Sequence, residues 1–133
     1  MKMIGIAEIV SLPELGIKNL DAKIDTGAYT ASLHAFDIKP YNSNKRINFS
    51  VYSSEYKIIK CDTEIFDIRH IVSSNGEGSD RFVIKTKLVM GKNRLIAQFT
   101  LANRDSMKYK ILIGRATIKD RFIVNPNLEN ILG

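Results

Sequence analysis

Apolar residues recur along this chain mostly at every second position, in short alternating stretches. That period puts successive side chains on opposite faces of an extended backbone, so it predicts strands. Met3, Ile4, Ile6, Ile9 and Val10 mark a first β-rich segment, closed by Leu12, Pro13, Glu14, Leu15 and Gly16. Residues 19–25 read as a second strand, with Leu20, Ala22 and Ile24 on one face. Over residues 30–38, Ala31, Leu33 and Ala35 share one face, and Thr30, Ser32, His34 and Phe36 share the other. Residues 40–45 form a polar turn. The alternation resumes over residues 46–53 with Ile47, Phe49 and Val51, and residues 56–61 and 64–72 are further strand candidates.

Residues 73–80, rich in serine and glycine, interrupt the pattern as a loop. Residues 81–90 follow, with Phe82, Ile84, Thr86, Leu88 and Met90 on one face, and the short turn Gly91, Lys92, Asn93 leads into residues 94–101 as a hairpin. Residues 108–113 read as a buried strand ending at Gly114, residues 116–120 as one helical turn, and residues 121–124 as a last strand. So many strands need their edges covered. The expected fold is mainly β, a closed or nearly closed barrel with at most one short helix.

Composition narrows the class. A length of 133 residues suits one domain over residues 1–133, and 44% hydrophobic with 26% charged residues excludes a disordered tail. No apolar run approaches the roughly 18 residues of a membrane helix. The first eleven residues lack a secretory signal pattern, so a cytoplasmic location is expected. Cys61 is the one cysteine and reads as a small core residue. The net charge of +6 is spread along the chain without a block of five, which reads as a solvated surface suited to an acidic partner. A nucleic-acid-binding barrel, with Phe49, Tyr52 or Tyr56 stacking on bases, is the weaker alternative, since no RNA-binding motif accompanies the charge.

The most informative chemistry lies in Ala22, Lys23, Ile24, Asp25, Thr26, Gly27 and Ala28. An apolar strand there delivers an acid, a hydroxyl and a glycine into a tight turn. Aspartic proteases need those parts in that order. Two such carboxylates meeting around one water cannot both ionise, so the pair holds one proton and offers a base and an acid together. The glycine leaves room for the turn and for a substrate. A second element, Ile111, Leu112, Ile113, Gly114 and Arg115, follows near the C-terminal end.

Those two segments resemble the Asp-Thr-Gly turn and the apolar-apolar-Gly-Arg strand of retropepsin-like aspartic peptidases. Nearly the whole chain is similar to a bacterial and archaeal family labelled ATP-dependent zinc proteases. That family is associated with the ATP-grasp ligase that adds glutamates to a small-subunit ribosomal protein. The similarity runs through residues 12–17, 22–28, 33–37, 73–76, 103–107 and 112–116. It implies a retropepsin-type barrel acting as a homodimer, each chain contributing Asp25, with Thr26 and Gly27 building the turn. It implies peptide-bond hydrolysis, with trimming of poly-glutamate tails in some members.

Ala28 and Tyr29 are then candidates to contact the peptide, together with Ser74, Asn75 and Gly76 in a flap over the cleft. Arg115 is expected to brace the dimer through a carboxylate. Three positions depart from the family pattern: Tyr29 and Val72 stand where arginine is common, and Ser79 where glutamate is. These changes leave the acid in place and bear on substrate preference. A catalytically inactive module that binds a peptide or acidic tail is the alternative. No metal or other cofactor is expected: there is no His-Glu-x-x-His, no phosphate loop, and the conceivable set His34, Asp37 and His70 is widely spaced in sequence.

Overall fold

The computed structural model describes residues 1–54, 56–72, 76–103, 105–106 and 108–133. Its central feature is a closed six-stranded barrel. Strands β2 (Ala7–Leu12) and β3 (Ile17–Ile24) form an antiparallel pair around a 3-10 turn, Pro13–Leu15. The chain leaves that turn through Gly16, whose φ of 78° lies in the left-handed region where a side chain is disfavoured. Strand β11 (Ile111–Ile113) inserts between β3 and β4 (Ala31–His34), parallel to the first and antiparallel to the second. Strand β10 (Asn93–Ala102) runs parallel to β4 and antiparallel to β9 (Gly78–Met90), and β9 pairs with β2 to close the circle. Strand β8 (Asp67–Val72) extends the sheet from β9.

A three-stranded sheet of β5 (Phe36–Tyr41), β6 (Arg46–Ser54) and β7 (Lys57–Glu64) packs beside the barrel. It buries Ile47, Phe49 and Val51, the face that the alternation predicts. Phe49 is 2% exposed, so it belongs to the core and cannot serve as a stacking platform for a base. His34 departs from its expected polar face: it is 1% exposed and stacks on Phe36 and Tyr52, ring centroids 5.7 and 5.8 Å away. The second sheet covers a position that β4 alone would leave open.

Short strands β1 (Lys2–Ile4) and β12 (Phe122–Val124) pair in parallel, and the helix α1 is one turn, Arg115–Ile118. The first β-rich segment therefore splits at Gly5, because a Cβ there would lie 2.3 Å from the carbonyl oxygen of Leu128. The segment 30–38 likewise divides at Ala35 into β4 and β5, as the chain passes from the barrel to the second sheet, and Asp37, with a φ of 50°, sits at a register shift within β5. Strand β5 runs to Tyr41, past the expected start of the turn, and Asn42, Ser43 and Asn44 make that turn in the left-handed region. The expected strand 108–113 shortens to the three residues of β11.

Cys61 sits in the core at 9% exposure, its thiol 3.5 Å from the carbonyl oxygen of Leu15. Burial pushes that thiol up to about 11 from 9.0, because the thiolate loses its hydration. Between those values the folded chain holds a proton that the unfolded chain releases. Stability should therefore fall as pH rises from 9 towards 11. Urea denaturation at pH 8 and pH 10.5 checks this, with Cys61→Ala expected to lose less stability than the parent across that window.

Candidate active site

Asp25 follows the last residue of β3, and β11 lies directly alongside in the register Ala22 to Ile111 and Ile24 to Ile113. The loop from Asp25 to Thr30 must pass over the end of β11 to reach β4. Its backbone is pinned there at several points. The Asp25 amide donates to Ile113 O at 2.8 Å, and the amides of Arg115 and Ala116 donate to Ala28 O and Tyr29 O at 2.8 and 2.9 Å. Within the loop, Gly27 N–H donates to Asp25 Oδ1 at 3.1 Å, and Ala28 N–H to Asp25 O at 3.3 Å. The carboxylate is thus oriented by its own turn and remains half-buried, beside an exposed Thr26 and Gly27.

Gly114 explains why the Asp25 loop and the end of β11 approach so closely. A Cβ built there would lie 2.6 Å from Tyr29 O and 2.7 Å from the carbonyl carbon of Thr30. Both are backbone atoms and cannot swing away. Gly114→Ala should displace the loop carrying Asp25 and cost about 1–3 kcal/mol of stability by overpacking. The melting temperature checks the stability loss, and the shift of the Gly27 and Ala28 amide resonances checks where the strain goes.

Among the described residues no carboxylate pairs with Arg115. Its Nη1 donates to Thr26 O at 2.9 Å, and its guanidinium carbon lies 5.8 Å from the centroid of the Tyr29 ring. The side chain therefore braces the Asp25 turn from below, and Tyr29, 64% exposed, caps the guanidinium. Thr30 is held from another direction. Arg69 on β8 donates from Nη1 to Thr30 Oγ1 at 2.9 Å and from Nη2 to Gln98 Oε1 at 3.4 Å. Sequence reasoning did not single out Arg69 or Gln98. They lie 39 and 68 residues from Thr30 along the chain, and only the order of strands brings them together.

The segment expected to form a flap connects β8 and β9. Val72 pairs with Gly78, Ile71 with Ser79 and His70 with Asp80, so the connection is shorter than the loop 73–80 that the composition suggests. Gly76 is exposed with a φ of 88°, a turn conformation, and nothing lies within 4 Å of where its side chain would be. Ser74 and Asn75 lie outside the described residues, as does Ser73. His34, Asp37 and His70 are not brought together: His34 is buried, Asp37 is exposed, and His70 Nδ1 lies 3.0 Å from Asp80 Oδ1. Among the described residues no group of three histidine, cysteine or acidic side chains is arranged to hold a metal ion. No helix of the described residues is long and apolar enough to cross a membrane.

A family model for the retropepsin-like aspartic endopeptidase RimB matches residues 3–133. Curated relatives from Shewanella pealeana and Desulfotalea psychrophila, both named "Probable alpha-L-glutamate ligase", are 35% and 36% identical over 98% and 99% of this chain. The chain spans 30% of the length of each. A crystal structure of a Legionella pneumophila protein of unknown function is similar at 26% identity, with a TM-score of 0.81 and coverage of 99% of this chain and 98% of the other. With Asp25 held in its turn by β11 and Gly114, and a match over almost every residue, the chain belongs to the RimB-like family of retropepsin-like aspartic endopeptidases.

Proposed function

We propose that this chain hydrolyses peptide bonds as a homodimer, with one Asp25 from each copy forming the catalytic pair. The observation that carries the reading is the Asp25 turn itself, an accessible carboxylate whose backbone is fixed by Ile113, Gly114 and Arg115. One such loop holds half of an aspartic pair, and a two-fold axis supplies the other half. In the pair, the ionised Asp25 takes a proton from water as the water oxygen adds to the scissile carbonyl carbon. The protonated Asp25 gives its proton to the carbonyl oxygen. Collapse of the tetrahedral adduct breaks the C–N bond: the departing amine takes up the proton that the first carboxylate gained, and one hydroxyl of the adduct returns its proton to the second Asp25, which restores the pair.

An acidic, glutamate-containing chain is the substrate class we favour. The net charge of +6 per copy attracts such a chain. The relatives whose matched region makes up 30% of their length are named for ligating glutamate, and a peptidase region joined to such a protein has glutamate-linked peptides within reach.

Mixing tests the shared pair. Wild-type chains equilibrated with about a ninefold excess of Asp25→Asn chains should fall to roughly one-tenth of their activity per wild-type chain, because nearly all of them sit in mixed dimers. Unchanged activity per wild-type chain would overturn the shared pair.

A further inference from the structure

Between Asp25 and Tyr29 the loop is bonded to Ile113, Arg115 and Ala116, that is, to the end of β11 and the helical turn that follows it. Arg115 Nη1 adds its bond to Thr26 O from the same quarter. Gly114 packs there too, since a Cβ on it would lie 2.7 Å from the carbonyl carbon of Thr30. Anchors gathered on one side leave a loop able to pivot about them. Among the described residues, one side-chain hydrogen bond reaches the loop from outside that neighbourhood: Arg69 Nη1 donates to Thr30 Oγ1 at 2.9 Å.

Arg69 is itself held from three directions. Its Nη1 meets Thr30, its Nη2 meets Gln98 Oε1 on β10 at 3.4 Å, and its Nε meets Asp67 Oδ2 at the start of β8 at 3.2 Å. A planar fork with three acceptors has its orientation fixed, which a flexible ammonium would not. For the ladder alone, arginine is a poor choice at this position. The register sets it opposite Arg81 on β9, and like charges directly across a ladder weaken the pairing. What the arginine supplies instead are contacts with Thr30 and Gln98, 39 and 29 residues away along the chain.

We propose that Arg69 is a positioning residue for the hydrolysis: through Thr30 it fixes one end of the loop that carries Asp25, while Arg115 clamps the other end at Thr26. The inference rests on the peptidase reading above. Arg69 touches neither the substrate nor the reacting atoms in that reading, and its contribution is geometric. The catalytic pair requires each Asp25 at hydrogen-bond distance from one water, and a displacement of about 1 Å can cost about 10² in rate.

Kinetics on a synthetic glutamate-rich peptide test this. Arg69→Ala should lower kcat by about tenfold or more and leave KM within about twofold, a split that loss of strand stability alone does not produce. Thr30→Val keeps the size of the side chain and removes the acceptor, so it should do the same. The double variant should be no slower than either single one, because both break one contact. Arg69→Lys should recover part of the loss, since an ammonium can supply one of the two bonds. Losses that multiply in the double variant overturn the route through Thr30. An Arg69→Ala variant with kcat within twofold of the wild type overturns the positioning role and leaves the peptidase standing. The amide resonances of Gly27 and Ala28 give a readout that needs no turnover, and both should shift in Arg69→Ala and in Thr30→Val. A wild type that cleaves no such peptide, with those shifts present, overturns the peptidase and upholds Arg69 as the residue that places the loop. Resonances that stay where they are overturn that placement.

Discussion

Under the proposed mechanism, Asp25→Asn should leave the fold intact and lower kcat for peptide hydrolysis by about 10⁴-fold. The substitution is nearly isosteric, and an amide oxygen can still accept the Gly27 N–H that meets Asp25 Oδ1 at 3.1 Å. The turn therefore survives, along with the bonds from Ile113, Arg115 and Ala116 that involve only backbone. What disappears is the exchangeable proton. General acid–base catalysis contributes roughly 10²–10⁴ in rate, and in the proposed mechanism one pair of like groups supplies both the base and the acid, which places the loss near the upper end. Steady-state kinetics with an acidic peptide measures it, and an unchanged melting temperature shows that the fold is intact. A variant active within tenfold of the parent would move the chemistry away from Asp25. The contrast with Gly114→Ala is informative, because that substitution leaves every functional group in place and disturbs only where the loop sits.

Glu8→Ala should cost about 3–5 kcal/mol, the largest stability loss among the substitutions considered. Glu8 lies on β2 and is 1% exposed. Its Oε2 accepts the amides of Gly5 and Ile131 at 2.7 and 3.3 Å, and its Oε1 accepts the amide of Leu132 at 3.1 Å. Truncation leaves three backbone donors without that acceptor and opens a void beneath the C-terminal segment. The same segment is stitched to the barrel by Ile6 N–H to Leu128 O and Asn130 N–H to Ala7 O, each at 2.8 Å. Losing Glu8 should lower the melting temperature by about 10 °C or more for a chain of this size and expose residues 125–133 to proteolysis. Glu8→Gln keeps an oxygen for two of the amides and turns an NH₂ toward the third, so an intermediate loss is expected. A Glu8→Ala chain that melts within 2 °C of the parent would show that these bonds contribute little.

Much of the barrel is legible in the alternation of apolar residues. Ile47, Phe49 and Val51 are buried as a set, as are Ile84, Leu88 and Met90, because a strand with one buried face must place every second side chain inward. Thr86 shares that inward face despite its hydroxyl, which meets Glu14 Oε1 at 3.5 Å. The boundaries were less legible. Gly5 and Ala35 interrupt strands that the pattern runs together, and the reasons are a carbonyl 123 residues away in one case and a change of sheet in the other. The Asp25 turn was readable since its parts are consecutive in sequence. Its supports were only partly so: Gly114 and Arg115 announce themselves as a motif, whereas Arg69 and Gln98 carry no local signal at all.

The sequence by itself determined the strand-rich class, the inward face of most strands, and the acid in its turn. Each depends on neighbours a few residues apart, where backbone geometry and side-chain period act directly. Only the tertiary structure decided that Glu8 and His34 are buried, that Arg115 takes the carbonyl of Thr26, and that Arg69 reaches Thr30. Those outcomes depend on which strands become neighbours, and β11 settles that for the Asp25 turn by inserting between β3 and β4 from more than 75 residues further along the chain. The alternation of a strand tells which side chains share a face. It does not tell what covers that face.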